Sequence, residues 1–387
     1  MTGVVAYRRS EDLDITFGVE EEFFLVDPET RDLVAEPDQA IFHECARLAG
    51  EHKVAPEFLR SQLETATAVC RSIAEVRKAL VRTRSAVVNS AESHGTRAIA
   101  ASIHPFAEWS TQVISVGRRY AEFAVTYQET VRRLIIGGMH VHVGFGDNDT
   151  RIRVMTALRR YLPLLHALSG SSPFHGGRET GFKSYRMTIF GTLPRTGVPR
   201  PLNSWQEFDA LTRDYRRLNL IENAGELWWD IRPSHVYPTV ELRICDICPR
   251  VEDAIAITAL YGCLVRNLWR RDINGTLPAD HPTEIINENR WLAQRYGVLA
   301  FFGNLEGGGR MDIDDYAQDL VRDLADDAKA LDCEAELQHV LEIVRNGSGA
   351  DRQVDLFRLR RLEGASPDEA LTEVVDLIIR ETKESLD

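Results

Sequence analysis

The stretch Thr16-Phe-Gly-Val-Glu-Glu-Glu-Phe-Phe-Leu-Val-Asp27 constrains the rest of the chain more than any other. Its aromatic, β-branched and apolar residues predict a strand, and the period of two places Glu20 and Glu22 on one face and Glu21 on the other. At a rise of about 3.3 Å per residue the two stems stand roughly 6–7 Å apart. At an effective dielectric of about 20 two such charges repel by about 2–3 kcal/mol. Either the strand is an edge with its acids in water, or a cation faces them. The remainder of the sequence has to decide.

Two later stretches carry polar faces of the same kind. In Gly137-Gly-Met-His-Val-His-Val-Gly-Phe145, His140 and His142 share one face while Met139, Val141 and Val143 take the other. Imidazoles at i and i+2 of a strand can share a ligand or a metal, and the flanking glycines let backbone or substrate come close. The strand Thr239-Val-Glu-Leu-Arg-Ile-Cys-Asp246 puts Glu241, Arg243 and Cys245 on one face and Val240, Leu242 and Ile244 on the other. Alone, that is an ion pair on a solvated face, worth little. Glu64, in Ser61-Gln-Leu-Glu64, is a fourth and weaker piece. The cations are Lys183 and Arg186, Arg232 in Trp228-Trp-Asp-Ile-Arg-Pro233, and Arg352 in Asn346-Gly-Ser-Gly-Ala-Asp-Arg-Gln353. Each reads singly as a surface charge.

The set says more, because strands of one sheet can turn their polar faces to one cleft. Carboxylates with imidazole and no paired thiolates favour a hard cation, magnesium or manganese, over zinc. Forked guanidiniums around such ions describe a nucleotide polyphosphate site. Cys245 shares a face with Glu241 but reads as a small packing residue and is left out of the site.

The chain's 387 residues, 44% of them hydrophobic, can build a sizeable core, and a single catalytic domain over 1–387 is expected. Its 59 acidic and 46 basic side chains give a net charge of −13, which disfavours nucleic acid or an anionic membrane as partner. Small molecules fit better. The N-terminal MTGVVAYRRSEDLD has no apolar core of signal-peptide length and no run of about 18 apolar residues occurs, so a cytoplasmic protein is expected. Six cysteines with a single C-x-x-C, Cys245 to Cys248, support neither a disulfide scaffold nor a structural zinc site.

Along the chain, Leu33 to Val34 is expected to begin a returning hairpin strand, and Ser72 to Glu75 is a capping box for a helix running to Gly95. Strands are predicted over 98–103 and 134–145. Asp149 or Thr150 should cap a helix through Leu168 that bends at Pro163. Residues 170–203 change to glycine, proline, serine and arginine and read as a long functional loop or a mobile lid. A helix over 205–217, strands over 227–232 and 239–245 and a helix over 251–269 follow. The part 281–387 reads as helical, with helices over 283–296, 314–331, 334–344 and 367–386. Strands early and helices late predict an α+β fold, an antiparallel sheet with a polar active-site face and helices on the other. A parallel α/β sheet lacks regular alternation and a phosphate-binding glycine loop here.

Taken together, Gly-Val-Glu-Glu-Glu-Phe at 18–23, Ile-His-Pro-Phe at 103–106, Gly-Gly-Met-His-Val-His-Val-Gly at 137–144, Ser-Tyr-Arg at 184–186, Trp-Trp-Asp-Ile-Arg-Pro-Ser at 228–234, Val-Glu-Leu-Arg at 240–243 and Gly-Ala-Asp-Arg-Gln at 349–353 resemble the type 2 glutamate–cysteine ligase family, carboxylate–amine ligases related in fold to glutamine synthetase. The resemblance implies that Glu20, Glu22, Glu64, His140 and Glu241 hold Mg2+ or Mn2+, and that Arg243 meets the γ-phosphate of ATP. It implies activation of a glutamate-like carboxylate as an acyl phosphate and attack by an amine, with amide, ADP and phosphate as products. Arg243 and Arg232 are then the expected catalytic residues, Arg186, Lys183 and Arg352 the nucleotide contacts and His142 a substrate contact; a homo-oligomer is implied as well. The second acid that follows Gln-x-Glu in glutamine synthetase has no counterpart, since the eighth residue after Glu64 is Ser72, which leaves the number of metals open. A metal-dependent amide hydrolase built on the same cage is the alternative, and a nucleotide-binding protein without turnover a third reading. Glu21 faces away, so its replacement should disturb metal–nucleotide binding far less than replacement of Glu20 or Glu22.

Overall fold

The computed structural model describes residues 13–386, so the N-terminal segment read above for a targeting signal lies largely outside it. Its centre is β1 (Thr16–Val26), which forms as the period-two pattern predicts. The other strands of its seven-stranded sheet are β2 (Lys53–Pro56), β3 (Gln62–Ala66), β4 (Arg97–Ile99), β5 (Met139–Gly144), β6 (Ile231–Pro233) and β7 (Thr239–Leu242), in the order β2-β3-β1-β5-β7-β6. β4 lies beside the end of β1, and every pairing is antiparallel. The architecture is α+β.

The two faces of this sheet have opposite chemistry. Phe17, Val19, Phe23 and Leu25 of β1 enter one core with Val141 and Val143 of β5 and Val240 and Leu242 of β7. Helices α1 (Ile73–Ser93) and α2 (Val251–Ile273) cover that face. Each such Val, Leu or Phe removed from water contributes about 1.5–3 kcal/mol. The fit is close: a Cβ on Gly262 of α2 would come within 2.6 Å of the Phe17 ring. Glu21 also points to this side. It is fully buried against Arg84 of α1, whose Nε lies 2.9 Å from its Oε2, and Arg84 also donates to the carbonyls of Pro249 (2.7 Å) and Cys248 (2.9 Å). On the opposite face, Phe24 and Val26 continue the row of Glu20 and Glu22 into a second apolar cluster with Leu371, Val374 and Ile378 of the helix Pro367–Lys383, which closes that end.

Several expectations are corrected. The hairpin partner at Leu33 is a single bridge to Val26, because β3 takes one edge of β1 up to Phe24 and β4 takes the other beside Val26. β2, β3, the helix Ala40–Ala49 and the helix Gly349–Leu362 were not read from the sequence. Asp147, rather than Asp149 or Thr150, accepts the Thr150 N–H (2.8 Å) as cap, and the helix breaks into a 3-10 turn at Arg159–Tyr161 before Pro163. The strand expected to reach Cys245 ends at Leu242, since the N–H groups of Arg243 and Ile244 both turn to the Asp230 carbonyl (2.8 and 3.1 Å). The first half of segment 170–203 is fastened to the core, with Ser171, Ser172, Ser184 and Arg186 buried. Among the described residues, no helix is long and apolar enough to cross a membrane.

Replacing Glu21 by alanine leaves Arg84 charged and unpaired in the core. A loss of about 3–5 kcal/mol in unfolding free energy is expected, read by urea denaturation; a loss below about 1 kcal/mol contradicts the buried pair.

Candidate active site

The registers of the sheet assemble the polar residues into one row. Glu22 of β1 lies opposite Glu64 of β3, and Glu20 lies opposite His140 of β5. His142 lies opposite Glu241 of β7, which lies opposite Arg232 of β6. Residues from five strands thus share one face, because directly paired residues in an antiparallel sheet point the same way.

Two clusters result. Glu20, His142 and Glu241 can bring ligand atoms to within 4.8 Å of one another, and so can Glu22, Glu57 and Glu64. Glu57 is the acid that the sequence did not reveal. It approaches Glu64 from the β2–β3 connection, on the N-terminal side rather than eight residues beyond. The imidazoles also differ from expectation. His142 joins the first cluster, with Nε2 3.5 Å from Glu20 Oε1 and Nδ1 2.9 Å from the Thr239 hydroxyl. His140 sits behind it, Nδ1 3.1 Å from Glu20 Oε2, and its buried Nε2 has no hydrogen-bond partner among the described residues. The register decides this, since His142 rather than His140 pairs with Glu241.

The arginines divide in the same way. Arg232 grips Glu241 with both nitrogens, Nε to Oε2 at 2.7 Å and Nη2 to Oε1 at 3.2 Å, and Nη1 donates to the carbonyls of Gly225 (2.6 Å) and Leu227 (3.1 Å). Arg243 reaches Glu241 through Nη1, while its buried Nε has no hydrogen-bond partner among the described residues. Arg186 is buried beside Glu22: its guanidinium lies against Gly138, whose N–H donates to Glu22 Oε2 at 2.8 Å. Lys183 and Arg352 are not brought to this face. Lys183 pairs with Asp351 (2.7 Å), and Arg352 pairs with Glu381 (2.6 Å) and Asp253 (3.2 Å) at the ends of neighbouring helices. Cys245 is buried among core residues, its thiol 3.7 Å from the Leu165 carbonyl and pushed up to about 12 by burial.

The carboxyls titrate in opposite directions. Burial, and after it the nearby Glu57 charge, raises Glu22 to about 8 and Glu64 to about 10. Burial also opposes the charge on Glu20 and Glu241, but hydrogen bonds from His140 and His142 hold Glu20 well below the carboxylate range, and Arg243 and Arg232 do the same for Glu241. His140 is lowered to about 4 by burial and then by the Arg243 charge. One cluster therefore keeps its charge through arginine and imidazole, and the other holds protons. Such a face can hold one or two hard cations and a polyanion between them.

The pattern of glutamate–cysteine ligase family 2 matches residues 16–376. The chain belongs to that family. It is therefore a carboxylate–amine ligase. A relative from Rhodospirillum rubrum, provisionally named glutamate–cysteine ligase 2, is 41% identical over 95% of both chains. One from Paracoccus denitrificans with the same provisional name is 39% identical over 97% of this chain and 100% of its own. Among solved structures, the glutamate–cysteine ligase of Francisella tularensis in complex with AMP superposes with a TM-score of 0.67 over 97% of this chain and 90% of its own, at 14% identity. A bifunctional glutathione synthetase from Pasteurella multocida gives 0.68 over 97% of this chain and 53% of its own, at 15% identity. At such low identity, the two solved structures show the shared fold alone.

The raised carboxyls give this ligase a distinctive pH profile. The folded chain holds protons on Glu22 and Glu64 where an unfolded one has lost them, so these groups stabilise at low pH and that stability falls as pH rises towards 8. Buried His104, His140 and His166, whose protonation is disfavoured, act in the opposite sense below about 6.5. In metal-free buffer the thermal midpoint is therefore expected to fall from pH about 6.5 to 8, and Glu64→Gln should flatten the slope. An unchanged slope in that variant removes the acid cluster as its cause.

Proposed function

We propose that this chain joins a glutamate-like carboxylate to an amine, cysteine or another amino compound, with ATP as the energy source, through an acyl phosphate and with release of ADP and phosphate. The observation that carries it is the row from Glu64 to Arg232 across five strands, which sets two acid clusters beside buried Arg186 and half-buried Arg232 and Arg243 on one face. The AMP bound to the Francisella ligase of like fold supports nucleotide use.

Mg2+ or Mn2+ suits the donor set: Glu20, His142 and Glu241 form one candidate ligand group and Glu22, Glu57 and Glu64 the other, with His140 behind the first. Three half-buried carboxyls crowded within 4.8 Å stay together only with protons or a cation among them, and the His140 Nε2 and Arg243 Nε, without a hydrogen-bond partner among the described residues, are buried polar atoms that a ligand would satisfy. When bound, such a cation neutralises phosphate charge and favours in-line transfer. The chain's own residues supply the remainder. Arg243, free at Nε, and Arg232 stabilise negative charge on the transferring phosphoryl group from the Glu241 side. Arg186 does so from the Glu22 side, where it is held by neutral carbonyls and has charge to offer. The closed apolar end at Phe24 and Val26 would keep water from that side of the acid cluster. Lys183 and Arg352, engaged by other acids, drop out of the nucleotide site.

The decisive assay is ADP release from a panel of carboxylate and amine pairs, with the expectation that release needs Mg2+, a carboxylate and an amine together. Glu22→Ala and Glu241→Ala should each lower turnover by about 10²-fold or more; a variant that keeps full turnover removes its residue from the site. Amide cleavage without nucleotide would instead favour the hydrolase reading. Mg2+ should also restore the thermal midpoint lost at pH 8, because it replaces the protons on Glu22 and Glu64. No recovery would show that the acid cluster does not bind it.

A further inference from the structure

A wholly buried carboxylate that the proposed reaction does not use lies behind Arg186. Asp246 Oδ2 accepts the Ser171 N–H at 2.9 Å and the Ser172 hydroxyl at 2.7 Å, and its Oδ1 accepts the Ser184 hydroxyl at 2.9 Å. A carboxylate only accepts, so Ser172 turns its single proton towards Asp246 and leaves its lone pairs for the Arg186 N–H, 3.1 Å away. The Arg186 side chain then returns to the same segment: Nη1 reaches the carbonyls of Arg243 (3.3 Å), Ile244 (3.4 Å) and Cys245 (3.2 Å). Residues 243–246 thus hold Arg186 by backbone and by side chain. Beyond it are Gly138 and Glu22.

This arrangement matters because no carboxylate among the described residues is bonded to Arg186. An arginine carries about 2 kcal/mol of rotamer entropy, and an ion pair with a fixed acid is the usual way to place one. Among the described residues only neutral groups hold the guanidinium, the three carbonyls, the Met187 thioether (3.3 Å) and the Phe190 ring, and its buried Nε has no hydrogen-bond partner. The cradle beneath it therefore determines where its charge lies.

We infer that Asp246 is a positioning residue for the ligase reaction: through Ser172 and Ser184 it seats Arg186 beside Glu22 at the acid cluster. This rests on the ligase reading above. Asp246 touches no substrate; its effect passes through Arg186. A misplacement of about 1 Å at such a group can cost about 10²-fold in rate.

The test uses the full chain with Asp246→Ala, Asp246→Asn, Ser172→Ala and Arg186→Lys. Asp246→Ala is expected to lower kcat by about 10²-fold. Asp246→Asn should keep most activity, because its amide oxygen can serve Ser171 and Ser172 while the Ser184 hydroxyl accepts from its NH2. In the Arg186→Lys background, Asp246→Ala should cost no more than about twofold further; losses that multiply independently overturn the inference. A second readout needs no turnover. The protected Arg186 Nε–H resonance, identified by its absence in Arg186→Lys, should persist in Asp246→Asn and vanish in Asp246→Ala; persistence in Asp246→Ala also overturns it. If Asp246→Ala does not fold, Ser172→Ala takes its place in both measurements. Absence of ATP-dependent turnover in the native chain would count against the proposed function, and the resonance would still decide the role of Asp246.

Discussion

The register of β1 against β3 and β5 is the constraint on which the rest of this protein depends. A slip of one residue would turn every side chain of β1 to the other face. Glu20 and Glu22 would then enter the core beside Val141 and Val240, and Phe17, Val19 and Phe23 would lie on the polar face. Burying two unpaired carboxylates costs far more than any local gain could offset. The ion pair of Glu21 with Arg84 strengthens this choice, since Arg84 can be satisfied only when the middle acid of the three faces α1. Hydrophobic alternation alone would accept some error. A buried charge with one correct partner does not.

The same register decides the electrostatics of the working face. Acids meet there because strand pairing places them opposite one another, and their neighbours determine their state. Around Glu20 and Glu241 the sheet brings imidazoles and guanidiniums, which stabilise the ionised form despite burial. Around Glu22 and Glu64 it brings a third acid, Glu57, and the neutral form wins. Two clusters on one face therefore differ in charge in the resting chain. In the proposed reaction, a polyanion laid across them would meet arginines at both ends and protons or cations between, the kind of balance that phosphoryl transfer requires.

Much of this was legible in the sequence, and the failures have physical causes. Period two gave β1, β5 and β7 and the correct faces for Glu20, Glu22, His140, His142 and Glu241, because alternation reports burial directly. Glu57 was hidden because the β2–β3 connection, Phe58-Leu59-Arg60-Ser61, carries no glycine, proline or asparagine, and its Phe58 and Leu59 are buried. Without a visible turn, two acids seven residues apart gave no sign that they meet. Lys183 and Arg352 were misjudged because a position near a glycine-rich motif does not fix the direction of a long side chain. Asp351 and Glu381 captured them. The segment 170–203 looked mobile from its composition, yet its serines are the donors that a buried Asp246 needs.

The site also depends on where side chains are missing. A Cβ on Gly138 would occupy the place of the Arg186 guanidinium, and one on Gly137 would come within 3.0 Å of the Glu22 carbonyl. The cost of two consecutive glycines is backbone freedom, and the structure removes that freedom by hydrogen bonds to three separate segments. Gly137 donates to Ser102 (3.0 Å), Glu22 donates to Gly138 (3.2 Å) and Met139 donates to Cys245 (3.2 Å). The start of β5 is therefore a junction at which β1, the Arg186 loop and the chain beyond β7 converge with nothing between them. Large side chains there would separate Glu22 from Arg186 and Arg186 from the carbonyls that hold it. The glycines permit the approach, and the surrounding hydrogen bonds make it a fixed geometry.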